Sequence, residues 1–341
     1  MASGPLREWG AISIGLLAGF CFLNLPRRHR TLVLGFWTAA ILGSALLEKL
    51  APSAIDWLYF NVFDPQTRQL DELAAQSRLL GGVFGIQSLA KLMAWLPWLL
   101  WIHALGGLTP PAKWQVWILA VVSTVVTAAI LATTQRGPFV ASLTGWEFFA
   151  LHRAFRLGDR RVLGWTVGGI AAVAALVWII VPGDVIQSRV LSAFGQKDAT
   201  RYGQMAEGNI SFRRMIFEVS AEVISQSPLG NACVTPEVFA GHGIGFTTHS
   251  HHLFLHQFRE RGWVWGLLHL LVWIWAGVLA WRSRSAAASA VLGGWTTIVV
   301  LGMFDHPWFV LNQAMVMSVI LLSSFLLTLT PSQPVGYNSK S

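Results

Sequence analysis

The sequence predicts an all-α polytopic membrane protein, with about nine transmembrane helices and one long extracytoplasmic loop that contains an amphipathic helix. Three observations predict it. Of the 341 residues, 54% are hydrophobic and only 12% are charged, against about 25% charged in an ordinary soluble domain. The hydrophobic residues come in long blocks separated by short charged punctuation, as helices of about 20 apolar residues crossing a bilayer require. The 18 Trp residues often stand at block edges, as at Trp114, Trp263 and Trp281, which suits the aromatic belt of a membrane interface.

The expected spans run from Ala11 to Leu25, Thr31 to Leu50, Val83 to Leu105, Trp114 to Thr134, Pro138 to His152, Val162 to Val181, Trp263 to Trp281, Ala286 to Phe304 and Pro307 to Leu329. The first has the length of a signal peptide. Arg7 and Glu8 cancel before it, however, and Arg27, Arg28 and Arg30 follow it, a charge order that favours a retained span with its N-terminus outside. Threaded alternately, the spans put those three arginines on one side with Lys113, Arg153, Arg156, Arg160, Arg161, Arg282, Arg284 and Lys340. An excess of Lys and Arg marks the cytoplasmic side.

The organisation is then four regions: 1–82, the first spans and an extracytoplasmic connection; 83–181, core spans; 182–262, the long loop; and 263–341, the last spans and a short tail. The basic residues that make the net charge +8 punctuate spans rather than forming one patch interleaved with aromatics, so nucleic acid is not an expected partner. Cys21 and Cys233 are the only cysteines and supply neither a disulfide framework nor a CxxC knuckle.

In the long loop, seven Lys and Arg balance seven Asp and Glu, and five of the ten histidines fall there. The densest constellation, GHGIGFTTHSHHLFLHQFRERG from Gly241 to Gly262, holds His242, His249, His251, His252 and His256 just ahead of a span. An imidazole that titrates near neutrality suits a general base acting on a hydroxyl. His252, His256 and Glu260, at i, i+4 and i+8, would share a helix face, which leaves a metal reading open although no HExxH pattern supports it.

An amphipathic segment opens at Ser211, where Phe212, Met215, Ile216, Val219 and Val223 fall at helical spacing and suit the membrane surface. Arg214 has Glu218 at i+4, so a helix-surface ion pair accounts for it. Arg213 has no acid at those spacings, which leaves its guanidinium for a phosphate or for a lipid headgroup. Arg136 sits in a polar turn, Gln135 to Gly137, that faces the same side as the loop and is a second candidate anion contact. Lys91 lies about two turns into the third span, and intramembrane charge usually faces a cavity, so it is placed on the wall of a substrate chamber. Glu147 and His269 are intramembrane without an evident role. Asp305 and His306 face the same side as the loop and either join the site or cap a helix.

Three of these stretches, in order around one long loop, resemble the O-antigen ligase and polymerase superfamily of bacterial membrane glycosyltransferases. TTQRGPFVA is similar to the family's T-x-S-R-G element, with Gln135 in place of Ser. SFRRMIFEVSAEVISQSPLG resembles its periplasmic helix, in which an Arg precedes an aromatic by four residues and Pro-Leu-Gly follows; that register selects Arg213, Phe217 and Pro228. HSHHLFLHQFRERG resembles its His-Asn-x-x-Leu element with Glu and Gly downstream, which puts His251 on the key histidine and His252 where Asn is common. Asn231, Ala232 and Cys233 replace the glycine-rich run usual after Pro-Leu-Gly.

The resemblance covers about Val83 to Leu329 and implies a multi-pass protein of the bacterial inner membrane with its active site facing the periplasm. It would move a glycan, with inversion and with neither metal nor cofactor, from undecaprenyl pyrophosphate to an acceptor. In that reading His251 is the base and Arg136 and Arg213 hold the pyrophosphate. His249, Lys91 and Arg214 are further substrate contacts, and membrane lipids surround the whole. Lipid A core is the first acceptor, on the HSHH form of the histidine element. A second lipid-linked glycan, as in a polymerase, comes next. A protein hydroxyl ranks third, given the short tail after Leu329. A transporter would predict paired repeats and discontinuous spans, which the sequence does not display.

Overall fold

A computed structural model describes residues 4–51, 53, 86–107, 110–133, 135–180, 201–230, 252–303 and 311–327. Among these the fold is all-α, with ten helices: α1 (Gly4–Asn24), α2 (Arg27–Leu50), α3 (Ile86–Leu105), α4 (Lys113–Ala132), α5 (Arg136–Arg156), α6 (Arg161–Ile180), α7 (Arg201–Gln226), α8 (Leu253–Arg282), α9 (Ala286–Gly302) and α10 (Leu311–Leu326). Among the described residues three stretches are long and apolar enough to cross a membrane, namely Arg27–Leu47, Lys113–Ile130 and Leu253–Arg282. They suggest a multi-pass membrane protein.

The distribution of side chains agrees with that. The outer faces of the helices expose many large apolar side chains, among them Phe36, Val121, Val167, Leu268, Leu271 and Trp275, as suits surroundings of lipid rather than water. The interior is assembled from small residues that let backbones approach, as in bundles that gain no hydrophobic drive from lipid. Gly15 and Gly19 of α1 lie on Ala314 and Ser318 of α10, where a Cβ at either glycine would come within about 3.0 Å of the partner. Gly145 of α5 sits against the Gly293 carbonyl and Thr297 of α9, and Gly293 and Gly294 leave the slot that receives the Trp98 indole of α3. Buried Thr296, Thr297, Ser318 and Ser323 return their hydroxyl protons to carbonyls four residues back, so no polar group is left to the apolar surroundings at those positions.

These contacts fix the directions of the helices. Trp98 meets Trp146 at 4.4 Å and Trp101 meets Phe149 at 5.6 Å between ring centroids, so α3 and α5 run parallel. His152 meets Ser289 at 2.9 Å while Gly145 meets Thr297, so α9 runs antiparallel to α5. At one end the basic connections gather: Thr31 of α2 bonds His103 of α3 at 2.9 Å, the Arg156 guanidinium donates to the Arg282 carbonyl at 3.1 Å, and a His152 nitrogen lies 3.0 Å from the Ser283 carbonyl. The grouping of Arg27, Arg30, Arg156 and Arg282 read from alternating spans is thus present as contacts between helix ends.

Two expectations change. Helix α7 begins ahead of Ser211, at Arg201, and its apolar face does not lie open for a membrane surface: Ile216, Val219, Ser220 and Val223 are buried, and the helix packs on α8. An amphipathic stripe shows that a face is covered without saying by what. Helix α8 does not start at Trp263. It starts at Leu253 and takes in most of the histidine element, with a kink at Gly262 (φ 81°, ψ 178°).

Candidate functional site

The end of the bundle opposite the basic connections collects the first turns of α3, α5 and α8. Arg136 is the first residue of α5 rather than part of a turn. Gly137 and Pro138 follow it inside the first turn, where proline's missing N–H costs no helical hydrogen bond. Thr133 closes α4 by donating to the Ile130 carbonyl at 2.6 Å, which sets the sharp passage from one helix into the next. By the parallel register of α3 and α5, Lys91 lies level with the first turn of α5. It is buried, 5% exposed, so a lysine side chain lies inside the bundle near the opening of α5. The end of α9 reaches the same level, since a Cβ at Gly302 would touch Leu253.

Helix α8 is opened by His252, whose Nδ1 accepts the Leu255 backbone N–H at 3.3 Å. Asn, Asp and Ser are the usual N-caps; here an imidazole performs that task. The next two turns are held by a buried polar network. Arg259 donates to Glu260 Oε1 at 3.2 Å and to His256 Nδ1 at 3.3 Å, and His256 Nε2 lies 3.2 Å from Glu260 Oε2. These three contacts are compatible with one another when His256 carries its proton on Nε2. Arg259 and His256 are fully buried, so the carboxylate between them is what makes their burial tolerable. The i, i+4 spacing of His256 and Glu260 was visible in the sequence; the role of Arg259 was not. His252 is engaged with the backbone rather than with this pair, and among the described residues no three His, Cys, Asp or Glu groups converge.

The ring of Phe217, on α7, meets the His252 ring edge-on at 5.5 Å. Eleven residues later on each chain segment the two helices meet again. Pro228–Leu229–Gly230 closes on Arg261–Gly262–Trp263, with the Trp263 N–H donating to the Pro228 carbonyl at 2.9 Å. Gly230 (φ 90°) and Gly262 (φ 81°) stand back to back, and a Cβ on Gly262 would lie 2.6 Å from the Leu229 oxygen. Both adopt the left-handed half of backbone space that side chains avoid. The Pro-Leu-Gly and the downstream Gly singled out in the sequence are therefore the two halves of one clasp, and α7 and α8 run parallel from His252 to Trp263.

Arg213 lies on α7 one turn before Phe217; its side chain, like that of Arg136, is not among those described. Arg214 is exposed and its Nε donates to Glu218 Oε1 at 2.8 Å. That hydrogen bond, with the charge behind it, raises the Arg214 pKa above its ordinary high value and accounts for the residue without a substrate. His249 and His251 fall outside the described residues, as do Asp305 and His306. His269, for which the sequence offered no partner, accepts the Trp273 indole N–H at 3.1 Å on the next turn.

Burial pushes the His252 pKa below the usual histidine value near 6.5, against a smaller upward pull from a backbone hydrogen bond. Protonation would charge a half-buried ring and remove the lone pair that caps α8. The folded state binds this proton less tightly than the unfolded chain does. The contribution of the cap is therefore complete above the unfolded value near 6.5 and is lost as pH falls through it toward the lower folded value. Unfolding temperature is expected to drop between about pH 7.5 and about pH 5.5, and His252→Asn, which caps without titrating, is expected to reduce that drop. Equal acid sensitivity in the two proteins would mean that another group sets it.

No protein-family model matches this chain, and no curated protein matches it.

Proposed function

We propose that the protein is an O-antigen ligase-like glycosyltransferase with nine spans, which moves a glycan from undecaprenyl pyrophosphate to lipid A core on the periplasmic face of the bacterial inner membrane. The observation that carries this reading is the contact of Phe217 with His252. Arg213 is one turn from the first of these residues and His251 adjoins the second, so a phosphate-binding cation and a candidate base come from two elements that touch. The opening of α5 at Arg136, at the positive end of a helix where anions are favoured, and the level position of buried Lys91 support the same site from the membrane side.

In this reaction the acceptor hydroxyl oxygen attacks the anomeric carbon of the lipid-linked sugar from the face opposite the pyrophosphate. The new C–O bond forms as the bond to the phosphate oxygen breaks, and configuration inverts. His251 takes the hydroxyl proton. Undecaprenyl pyrophosphate leaves with one more negative charge on its terminal phosphate, which Arg136 and Arg213 stabilise as it develops, the point at which fixed cations contribute most. Lys91 meets the donor phosphate or first sugar, and His249 orients the base or the acceptor.

The test is an in vitro transfer assay with lipid-linked glycan and three separate acceptors: lipid A core, a second lipid-linked glycan, and a protein carrying serine and threonine. Product on lipid A core is expected, and it is expected to persist in chelator. Arg213→Ala should slow transfer by on the order of 10²-fold or more, the usual cost of removing one charge-stabilising donor. Arg214→Ala, which breaks an exposed ion pair, should stay within about twofold of wild type. Equal losses in the two variants, or transfer only to another acceptor, would refute the assignment of the residues or of the acceptor respectively. Transport of a solute into liposomes without any glycan transfer would replace the enzyme with a carrier.

A further inference from the structure

At the basic end of the bundle, well away from the candidate site, α2 opens with Arg27, Arg28 and Arg30. The Arg27 guanidinium lies against Gly107, just past the end of α3, in the place a Cβ there would take. Arg30, one turn on, shares a face with Arg27 and is partly buried. The His103 ring lies between the helices, held through Nε2 by Thr31, whose own hydroxyl proton goes to the Arg27 carbonyl at 3.0 Å. Among the described residues neither arginine has a carboxylate partner, and the Arg30 Nε is buried without a hydrogen bond. Two guanidiniums thus converge at the opening of α2 with the C-terminal carbonyl end of α3 beside Arg27 and, among the described residues, no carboxylate to meet them. Elsewhere at this end a carboxylate is used: Arg153 pairs with Asp159 at 2.8 Å.

Immediately deeper along the same helices the surface changes character. A crevice between α1, α2, α3 and α10 is lined by Phe22, Val33, Leu34, Trp37, Leu99 and Val319 among others, with almost no polar atoms. Val33 and Leu34 are the turn after Arg30, and Leu99 is the turn before His103. A cationic notch therefore continues directly into an apolar groove along the bundle axis. A free anion would use only the first, and a neutral lipid only the second. One ligand class uses both.

We propose that this notch and crevice bind one anionic glycerophospholipid, with its phosphodiester on Arg27 and Arg30 and one acyl chain laid along Leu34, Trp37 and Leu99. A basic pocket between transmembrane helices is the recognised form of such a site, and the fork of a guanidinium matches the phosphodiester oxygens. The bound lipid ties the otherwise short contact between α2 and α3 together at this end. The site is independent of glycan transfer.

Native mass spectrometry of the delipidated full-length protein, titrated with phosphatidylglycerol and separately with phosphatidylcholine of the same acyl chains, tests it. Phosphatidylglycerol is expected to bind more tightly, by roughly thirtyfold for two basic residues near the surface. Arg27→Gln combined with Arg30→Gln should erase that preference. Val33→Trp, which fills the crevice and keeps the charges, should weaken both lipids. A preference that survives the double substitution, or equal binding of the two lipids by wild type, would overturn the proposal. So would displacement of phosphatidylglycerol by an equal concentration of inorganic phosphate, which would reduce the site to one for a free anion. Should the arginine variant fail to fold, unchanged phosphatidylglycerol affinity in Val33→Trp would overturn it alone.

Discussion

Protein carrying His251→Ala is expected to transfer glycan on the order of 10² to 10⁴-fold more slowly than wild type, the usual contribution of a general base. The loss should appear in kcat, with the KM for the lipid-linked donor little changed, because donor binding is assigned to Arg136 and Arg213 and the base acts only as the acceptor proton is removed. A pH profile separates this from collapse of the local structure. With the imidazole in place, kcat should rise through a histidine-like pKa and level off. Without it that inflection should vanish, and the residual rate should climb with hydroxide. His252→Asn is the necessary companion, since the neighbouring residue caps α8 and disturbance of the cap would reach His251 by a purely structural route. If His251→Ala is slow and His252→Asn is close to wild type above neutral pH, the chemistry lies with His251. If both are equally slow, the cap explains the loss. Full-rate transfer by folded His251→Ala would remove the base from the mechanism.

The parts of this molecule that its sequence reveals are those governed by local spacing. Apolar blocks predicted α4, α6 and α9 nearly to their ends, because a helix bounded by lysines, arginines and serines has nowhere else to stop. The ion pair of Arg214 with Glu218 followed from an i, i+4 interval. The first ten residues of α8 were hidden, since a run containing His256, Arg259 and Glu260 reads as loop until those groups are found paired with one another inside the protein. The burial of the α7 stripe was hidden for a related reason: Ile216 and Val223 announce a covered face, and whether lipid or α8 covers it depends on residues far away in the chain. Nor does local spacing reveal that Gly230 and Gly262 meet. A glycine carries no side-chain signal of its own, and only the backbone angles at both positions disclose why each is required.

Gly262→Ala is accordingly the substitution expected to have the second largest effect. The backbone at φ 81° and ψ 178° lies in a region essentially confined to glycine, where a side chain adds roughly 1–3 kcal/mol of strain. The new Cβ would also fall on the carbonyl of Leu229. The clasp has to open, and the Trp263 N–H to Pro228 carbonyl bond is lost with it. Gly230→Ala pushes on the same contact from the other side, meeting the backbone of Arg261 and Gly262. A lowered unfolding temperature alone would be shared by many substitutions. The clasp, however, holds α7 in register against α8, so opening it shifts Arg213 relative to the histidine element. A displacement of about 1 Å between catalytic groups can cost on the order of 10² in rate. Both variants should therefore lose transfer activity out of proportion to their stability, measured below their own unfolding temperatures, with the donor KM raised as well as kcat reduced. Gly158 provides the control. It has φ 73° with nothing within 4 Å of where a Cβ would stand and lies at the other end of the bundle, so Gly158→Ala carries strain of about 1–2 kcal/mol without moving α7. Its transfer rate should stay near that of wild type. Matching losses of rate in Gly158→Ala and Gly262→Ala would mean that general weakening of the fold, and not the register of two helices, controls the site.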